Sequence, residues 1–433
     1  MIEIAEQLPL PPAPPPPSRR LGPVMSLAMV VGTVIGSGIY VLPATIAPYG
    51  ANILFAFAIA ILGTCCLALS LARLARRLPG GPYAYIAAAF GDRAAFVTLW
   101  SYVVSQWTAV AAVAIAAMGA LGHVFPAIAS GWPLAFAACG AIVGMVLVNI
   151  TGARSTGVVQ VTATLIKIVP LLLVAVLVLM RLVTGPALEP LAPVPLSVGA
   201  TVSACALMLF AFTGFEAAAV TANVTEDAGD VVPGATIRGT VLVALLYLVA
   251  TVAVLWLLPS AEAASSQAPF ADAITPAFGN VAGNFVAIVA AVSALGAGNA
   301  IILLATEIAR AMANAGDLPP FFKRTNQAGV ASGSLLVAAG VAILLVIASV
   351  SDSFVAVFTF VALVSAVSAL VLYLICAAAA LKLRLEAPAV AVIAILYAIA
   401  MFVGAGLEAT LWGGALALAG LPIRWFSRRS SEA

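Results

Sequence analysis

The chain has 433 residues, of which 64% are hydrophobic and only 8% charged, whereas a water-soluble globular domain carries about 25% charged residues. A formal net charge of +2 gives no footprint for nucleic acid. The single histidine, His123, and five cysteines without C-x-x-C spacing leave almost nothing for a metal site or for His-based catalysis. The expectation is an all-α integral membrane protein without cofactor or metal.

Residues 1–22 come first and stand apart, because the near-continuous proline from Pro11 to Pro17 forms neither a helix nor a secretory apolar region. They read as a disordered cytoplasmic tail. Beyond them, apolar runs of about 18 residues or more give twelve expected spans. These are roughly 24–48, 53–72, 94–121, 133–149, 158–180, 197–222, 239–258, 281–309, 333–350, 354–381, 388–406 and 409–423. The connections are short, so the spans form one bundle.

The first span is interrupted near its middle by Gly36-Ser37-Gly38. Unwound backbone in hydrocarbon leaves amides and carbonyls without partners, so such a break lines a protected cavity or binds something. Amides of Gly36, Ser37 and Gly38 at the start of a half-helix suit a carboxylate, and the carbonyls just before them, at Val34 and Ile35, suit an ammonium. Gly32 and Gly36 also form a small-xxx-small pair, which leaves a helix-packing seam open as an alternative. The sixth span has its own weak point at Phe212-Thr213-Gly214-Phe215-Glu216, five spans later. Breaks in corresponding positions of two five-span halves suit inverted repeats with a substrate near the midplane.

Charge placement agrees with this count. With a cytoplasmic N-terminus, sixteen of the eighteen Lys and Arg, all except Lys167 and Arg181, fall on inside loops and tails. Arg181 reaches the interface from a span end. Lys167 lies nearer mid-span and is an intramembrane charge.

The run Gly32 to Pro43 resembles the first-span signature of the amino acid, polyamine and organocation transporter superfamily. Pro79-Gly-Gly-Pro-Tyr-Ala-Tyr85, Gly214-Phe-Glu216 and Arg310-Ala-Met-Ala-Asn-Ala-Gly-Asp-Leu-Pro-Pro320 follow in the family's order. Among its branches the chain is most similar to the bacterial arginine/agmatine antiporters and their amino acid permease relatives. The resemblance implies a LeuT-like fold: 12 transmembrane helices in a 5+5 inverted repeat with broken helices 1 and 6, plus two C-terminal helices. The repeats then occupy 23–182 and 196–384, the last two spans 385–425, and a cytoplasmic tail 426–433.

The resemblance also assigns residues. The substrate carboxylate meets Ser37 and Gly38 with Gly36 beside them, and the ammonium meets the carbonyls of Val34, Phe210 and Thr213. Phe210 takes the place of the antiporter's tryptophan lid. The second gating tryptophan aligns with Ile301, and the asparagine of the arginine site aligns with Val110, so guanidinium recognition lacks support. Ser105 and Gln106 lie near the expected pocket or hydrogen-bond between helices. Tyr102 aligns with a tyrosine on the inner path, and Glu216 with a glutamate implicated in pH sensing.

Lys167 resembles the lysine that, in proton-coupled members, sits where sodium binds in sodium-coupled relatives. The arginine antiporter has no lysine there, and some exchangers carry one. The resulting expectation is a secondary amino acid transporter of the inner membrane, multi-pass with both termini cytoplasmic, taking up a neutral amino acid with protons by alternating access. Exchange of amino acids or polyamines is the alternative. An intramembrane enzyme or receptor would need a catalytic cluster or sensing domain that is not visible. The expected partners are an amino acid, protons and the bilayer, with a homodimer left open and no nucleic acid.

Overall fold

The computed structural model describes residues 22–432 except 79–80, 151–155, 186, 217–224, 328, 349, 351–352 and 386. The proline-rich segment, the Pro79-Gly80 start of the second motif and residues 217–222 of the sixth expected span lie outside the described residues.

Helix α1 (Pro23–Val34) stops within apolar sequence, and α2 (Gly38–Ile46) resumes after a 40° bend. There follow α3 (Asn52–Arg77), α4 (Gly81–Phe90), α5 (Asp92–Val124), α6 (Gly131–Ile150), α7 (Thr156–Thr184) and α8 (Val198–Phe212). The second part of the chain forms α9 (Ala228–Leu257), α10 (Ser260–Ser265), α11 (Pro269–Asn314), α12 (Ser332–Ala348), α13 (Phe354–Lys382), α14 (Pro388–Gly404) and α15 (Gly406–Glu432). No strand occurs among the described residues.

Local chemistry sets several of these ends. The hydroxyls of Ser197 and Ser353 accept from the amides of Ala200 and Ala356, capping α8 and α13. Pro23, Pro269 and Pro388 occupy first turns, where no intrahelical donor is lost. Arg76 and Arg77 sit in the last turn of α3, on the negative end of its dipole.

Among the described residues eight helices are long and apolar enough to cross a membrane, and the bent α1–α2 pair makes a ninth. Three more, α8, α12 and α14, are apolar but shorter. This is a multi-pass membrane protein. α5 is its hub: most of its side chains are buried, and it packs against α4, α6, α11, α12, α13 and α15.

Lipid is as apolar as the side chains, so burial alone gives no drive for helices to associate, and close approach must supply it. α5 provides that through Ala109, Ala111, Ala112, Ala114, Ala116 and Ala117, all buried. The outer helices show lipid-facing residues instead, among them Leu396 and Val403 of α14 and Leu411 and Trp412 of α15. α11 is 46 residues long but is not one rod. Gly279 (φ 81, ψ 172) divides a short arm, 269–278, from the long run that follows.

Candidate functional site

The first break is built by three residues. Ile35 leaves the helical region (φ −72, ψ 80), its amide still bonding the carbonyl of Val31. The Gly36 amide then turns back onto the carbonyl of Val34 at 2.8 Å. α2 restarts at Gly38, and among the described residues the amides of Ser37 and Gly38 have no acceptor. Unpaired amides at a helix start are the ordinary consequence of helix geometry, and they carry a positive field.

The second break lies against the first. α8 ends at Phe212, Thr213 is extended (ψ 146), and Gly214 adopts φ 110, where an L side chain is strained. A Cβ on Gly214 would stand 3.1 Å from the Thr33 carbonyl carbon and from the Val34 amide. A Cβ on Gly38 would stand 2.7 Å from the Cα of Ala211. The two chains therefore touch backbone to backbone at these glycines, which a larger residue would force apart.

Buried polar side chains lock this crossing. The Tyr247 hydroxyl of α9 donates to the Val34 carbonyl at 2.6 Å. Lys167 of α7 is 4% exposed, and its ammonium donates to the Gly32 carbonyl at 3.2 Å. The Tyr40 hydroxyl of α2 donates to the Lys167 carbonyl at 2.6 Å, so α7 holds both sides of the first break. At the second break Glu216 accepts from the Tyr102 hydroxyl at 2.7 Å through Oε1 and from the Gly214 amide at 3.0 Å through Oε2.

The residues singled out in the sequence fall into two groups. Val34, Ile35, Gly36, Ser37, Gly38, Phe210, Thr213, Lys167, Glu216 and Tyr102 gather at the crossing through the contacts above. Phe210 meets Phe358 of α13 edge to face, with ring centroids 5.7 Å apart. The second group lines helices alongside. The Ser105 and Ser365 hydroxyls lie 3.3 Å apart, and Ser365 donates to the Ser105 carbonyl at 2.8 Å, an α5–α13 bridge. Gln106 is buried on α5, and Ile301 is partly buried on α11.

Tyr247 and Tyr40 were not foreseen. The available signal was a phenol inside an apolar run, since a buried tyrosine hydroxyl nearly always has a partner. Their presence changes the chemistry at the first break. Both lone pairs of the Val34 carbonyl are taken, by Gly36 and Tyr247, and the Phe210 carbonyl is held by the Thr213 amide and hydroxyl. An ammonium arriving there must displace a hydroxyl. Beside the break, a cavity of about 10 Å³ is bounded by Ser37, Tyr40, Phe270 and alanines of α5 and α11, space for about one water. The crossing is closed around itself.

Among the described residues no group of three His, Cys, Asp or Glu stands where it could hold a metal ion. Comparison with known proteins adds the family. The amino acid permease model matches residues 21–417. The chain is 30% identical over 335 residues to the cadaverine/lysine antiporter of Escherichia coli (strain K12), covering 74% of this chain and 73% of that one. It is 27% identical over 346 residues to the putative arginine/ornithine antiporter of Bacillus subtilis (strain 168), covering 72% and 73%. The arginine/ornithine antiporter of Pseudomonas aeruginosa is 29% identical over 333 residues, with 73% and 68% covered. Nearly the whole bundle, both breaks included, lies within the matched segment, and the chain belongs to the amino acid permease family of the amino acid, polyamine and organocation superfamily: it is a transporter and not an enzyme.

Proposed function

We propose that the chain exchanges amino acids, or amines derived from them, across the cytoplasmic membrane by alternating access, with the substrate held at the crossing of the two breaks. The observation that carries this is the contact of Gly38 with Ala211 and of Gly214 with Thr33 and Val34, which brings two interrupted backbones together inside an apolar bundle. Unpaired amides of Ser37 and Gly38 take the carboxylate. The carbonyls of Val34, Phe210 and Thr213 take the ammonium once Tyr247 and Thr213 release them. Phe210 closes over the substrate, and Val110, Ile301, Ser105 and Gln106 border its side chain. The relatives' names favour exchange over uptake.

The layout follows from the same reading. The three shorter apolar helices complete twelve crossings, arranged as two five-span inverted repeats with α14 and α15 last and both termini cytoplasmic. Arg73, Arg310 and Arg424 then face inward, as positive residues do.

A second reading, proton-coupled uptake of a neutral amino acid, is favoured by the Lys167 ammonium at the Gly32 carbonyl, a fixed cation beside the first break. It also fits the apolar Val110 and Ile301. A radiolabelled panel of amino acids and diamines in proteoliposomes separates the two. Strict dependence on internal counter-substrate supports exchange, and accumulation driven by an inward pH gradient without counter-substrate overturns it. Under the second reading Lys167→Ala abolishes gradient-driven uptake and leaves exchange. Unchanged uptake in that variant removes the lysine from the coupling.

A further inference from the structure

Two cavities share a boundary on the α2 side of the break. The narrow one starts at Ser37 and is walled by Ala116 and Ala120 of α5 and Ala290 and Ala294 of α11. The second, about 310 Å³, is a wider recess at the ends of α5 and α10, lined by His123, Glu262, Ser265, Ser266 and Asp272. Gln267 and Ala268 line both cavities. The turn between α10 and α11 is therefore the partition between a space large enough for an amino acid and a passage that is not.

Two further features show how this partition is held. Asp272, on the short arm of α11, accepts from the Ser266 hydroxyl and lies 3.0 Å from His123 Nδ1 of α5. The Ser266 hydroxyl oxygen accepts from the Ala268 amide at 3.1 Å, so the turn is tied through Asp272 to α5. An Nδ1–H donor serves this contact in the neutral tautomer as well as in the imidazolium. Second, among the described residues the Gln267 Oε1 is buried without a donor, a cost that disfavours the closed position. Gly279, at φ 81, ends the arm and separates it from the long run of α11. The arm has a latch at one end and a backbone break at the other.

We propose that Gln267 is the outer gate of the transport route, a positioning residue kept closed by the His123–Asp272–Ser266 latch. Opening the turn joins the recess to the alanine-walled passage and so to Ser37. The buried amide oxygen is then the first acceptor an incoming ammonium meets after leaving the recess. The other charged group of the recess, Glu262, stands on α10 and faces the same space. This inference rests on the carrier reading and on its orientation.

The test places a cysteine at Ala294 and follows its labelling by a membrane-impermeant thiol reagent added from outside, over the label taken up by the parent chain. Ala294→Cys alone is expected to label slowly. Adding Asp272→Asn, which weakens the latch, is expected to speed labelling roughly fivefold, the worth of one lost hydrogen bond, with exchange retained. Adding Gln267→Ala, which removes the side chain of the partition itself, is expected to speed it as well. Exchange-competent variants with unchanged labelling overturn the gate, as does rapid labelling of Ala294→Cys alone. His123→Ala gives an independent release of the same latch should one variant fail to fold. Faster labelling in a chain that exchanges nothing supports the gate and removes the carrier reading.

Discussion

The carbonyl of Val34 already accepts from two donors, the Gly36 amide and the Tyr247 hydroxyl, at the position proposed for the substrate ammonium. Removing the phenol while keeping its ring isolates that competition. Tyr247→Phe retains the stacking on Phe212, whose ring centroid is 5.5 Å away. It is expected to lower the half-saturation constant for exchange about fivefold, the weight of one net hydrogen bond. An unchanged constant would mean that the hydroxyl and the substrate do not share the site.

Glu216 poses the opposite case, a carboxylate with both oxygens engaged, at Tyr102 and at the Gly214 amide. Glu216→Gln can still accept from Tyr102, but it sets an amide NH₂ against the Gly214 N–H. A buried unpaired donor costs about 1–3 kcal/mol. The maximal exchange rate should fall about tenfold, and a variant with wild-type rate would show that the carboxylate does not hold the break.

At the scale of elements, the two breaks are held apart by nothing larger than hydrogen atoms. Gly38→Ala would place its methyl 2.7 Å from the Cα of Ala211, and overpacking of this kind costs about 1–3 kcal/mol. Because it falls between the two breaks proposed to hold the substrate, exchange of every substrate should fall at least about tenfold while helix content by circular dichroism stays unchanged. Retained exchange would mean that the crossing tolerates separation.

A second joint lies at the Arg-rich end. Asp317, fully buried after α11, accepts from Arg424 Nε at 2.8 Å and from Arg428 Nε at 3.1 Å, while both arginines also meet Asp92 at the start of α5. Tyr83 of α4 donates to the same Asp92. Removing one partner of a buried pair costs about 3–5 kcal/mol. Arg424→Ala should therefore lower the unfolding temperature in detergent markedly, and pairing it with Asp317→Asn should recover part of the loss. An unshifted transition in the single variant would show that α15 is not clamped there.

These elements also show what the sequence could and could not reveal. The first break was legible because Gly36-Ser37-Gly38 removes side chains inside an otherwise apolar run. The α10 turn and the short arm of α11 were not. Residues 259–278 mix Pro, Ser and Ala with two acids, and their helices are fixed by contacts to the neighbouring α2 and α5. Helix α4 was missed as a helix for a similar reason: ten residues are too few to cross a bilayer, and its place is set by packing on α5 and α13. Tyr40 and Tyr247 could be noted as phenols in apolar spans, but which carbonyl each meets depends on pairs 127 and 213 residues apart.

For the whole molecule, a hub of small residues on α5 carries a closed crossing of α1, α2 and α8, with a narrow cavity bordering Ser37 and a wider recess that shares Gln267 and Ala268 with it. Alternating access requires the crossing to open to one face at a time while that hub stays packed. The most direct measurement replaces Ser37 with cysteine and follows its reaction with a small thiol reagent in proteoliposomes, with and without an exchanged amino acid. Val281→Cys, at a position 85% exposed, serves as the control. Substrate bound between the breaks should slow labelling at position 37 several-fold and leave position 281 unaffected. Equal labelling of position 37 with and without a saturating, exchanged substrate would contradict the account.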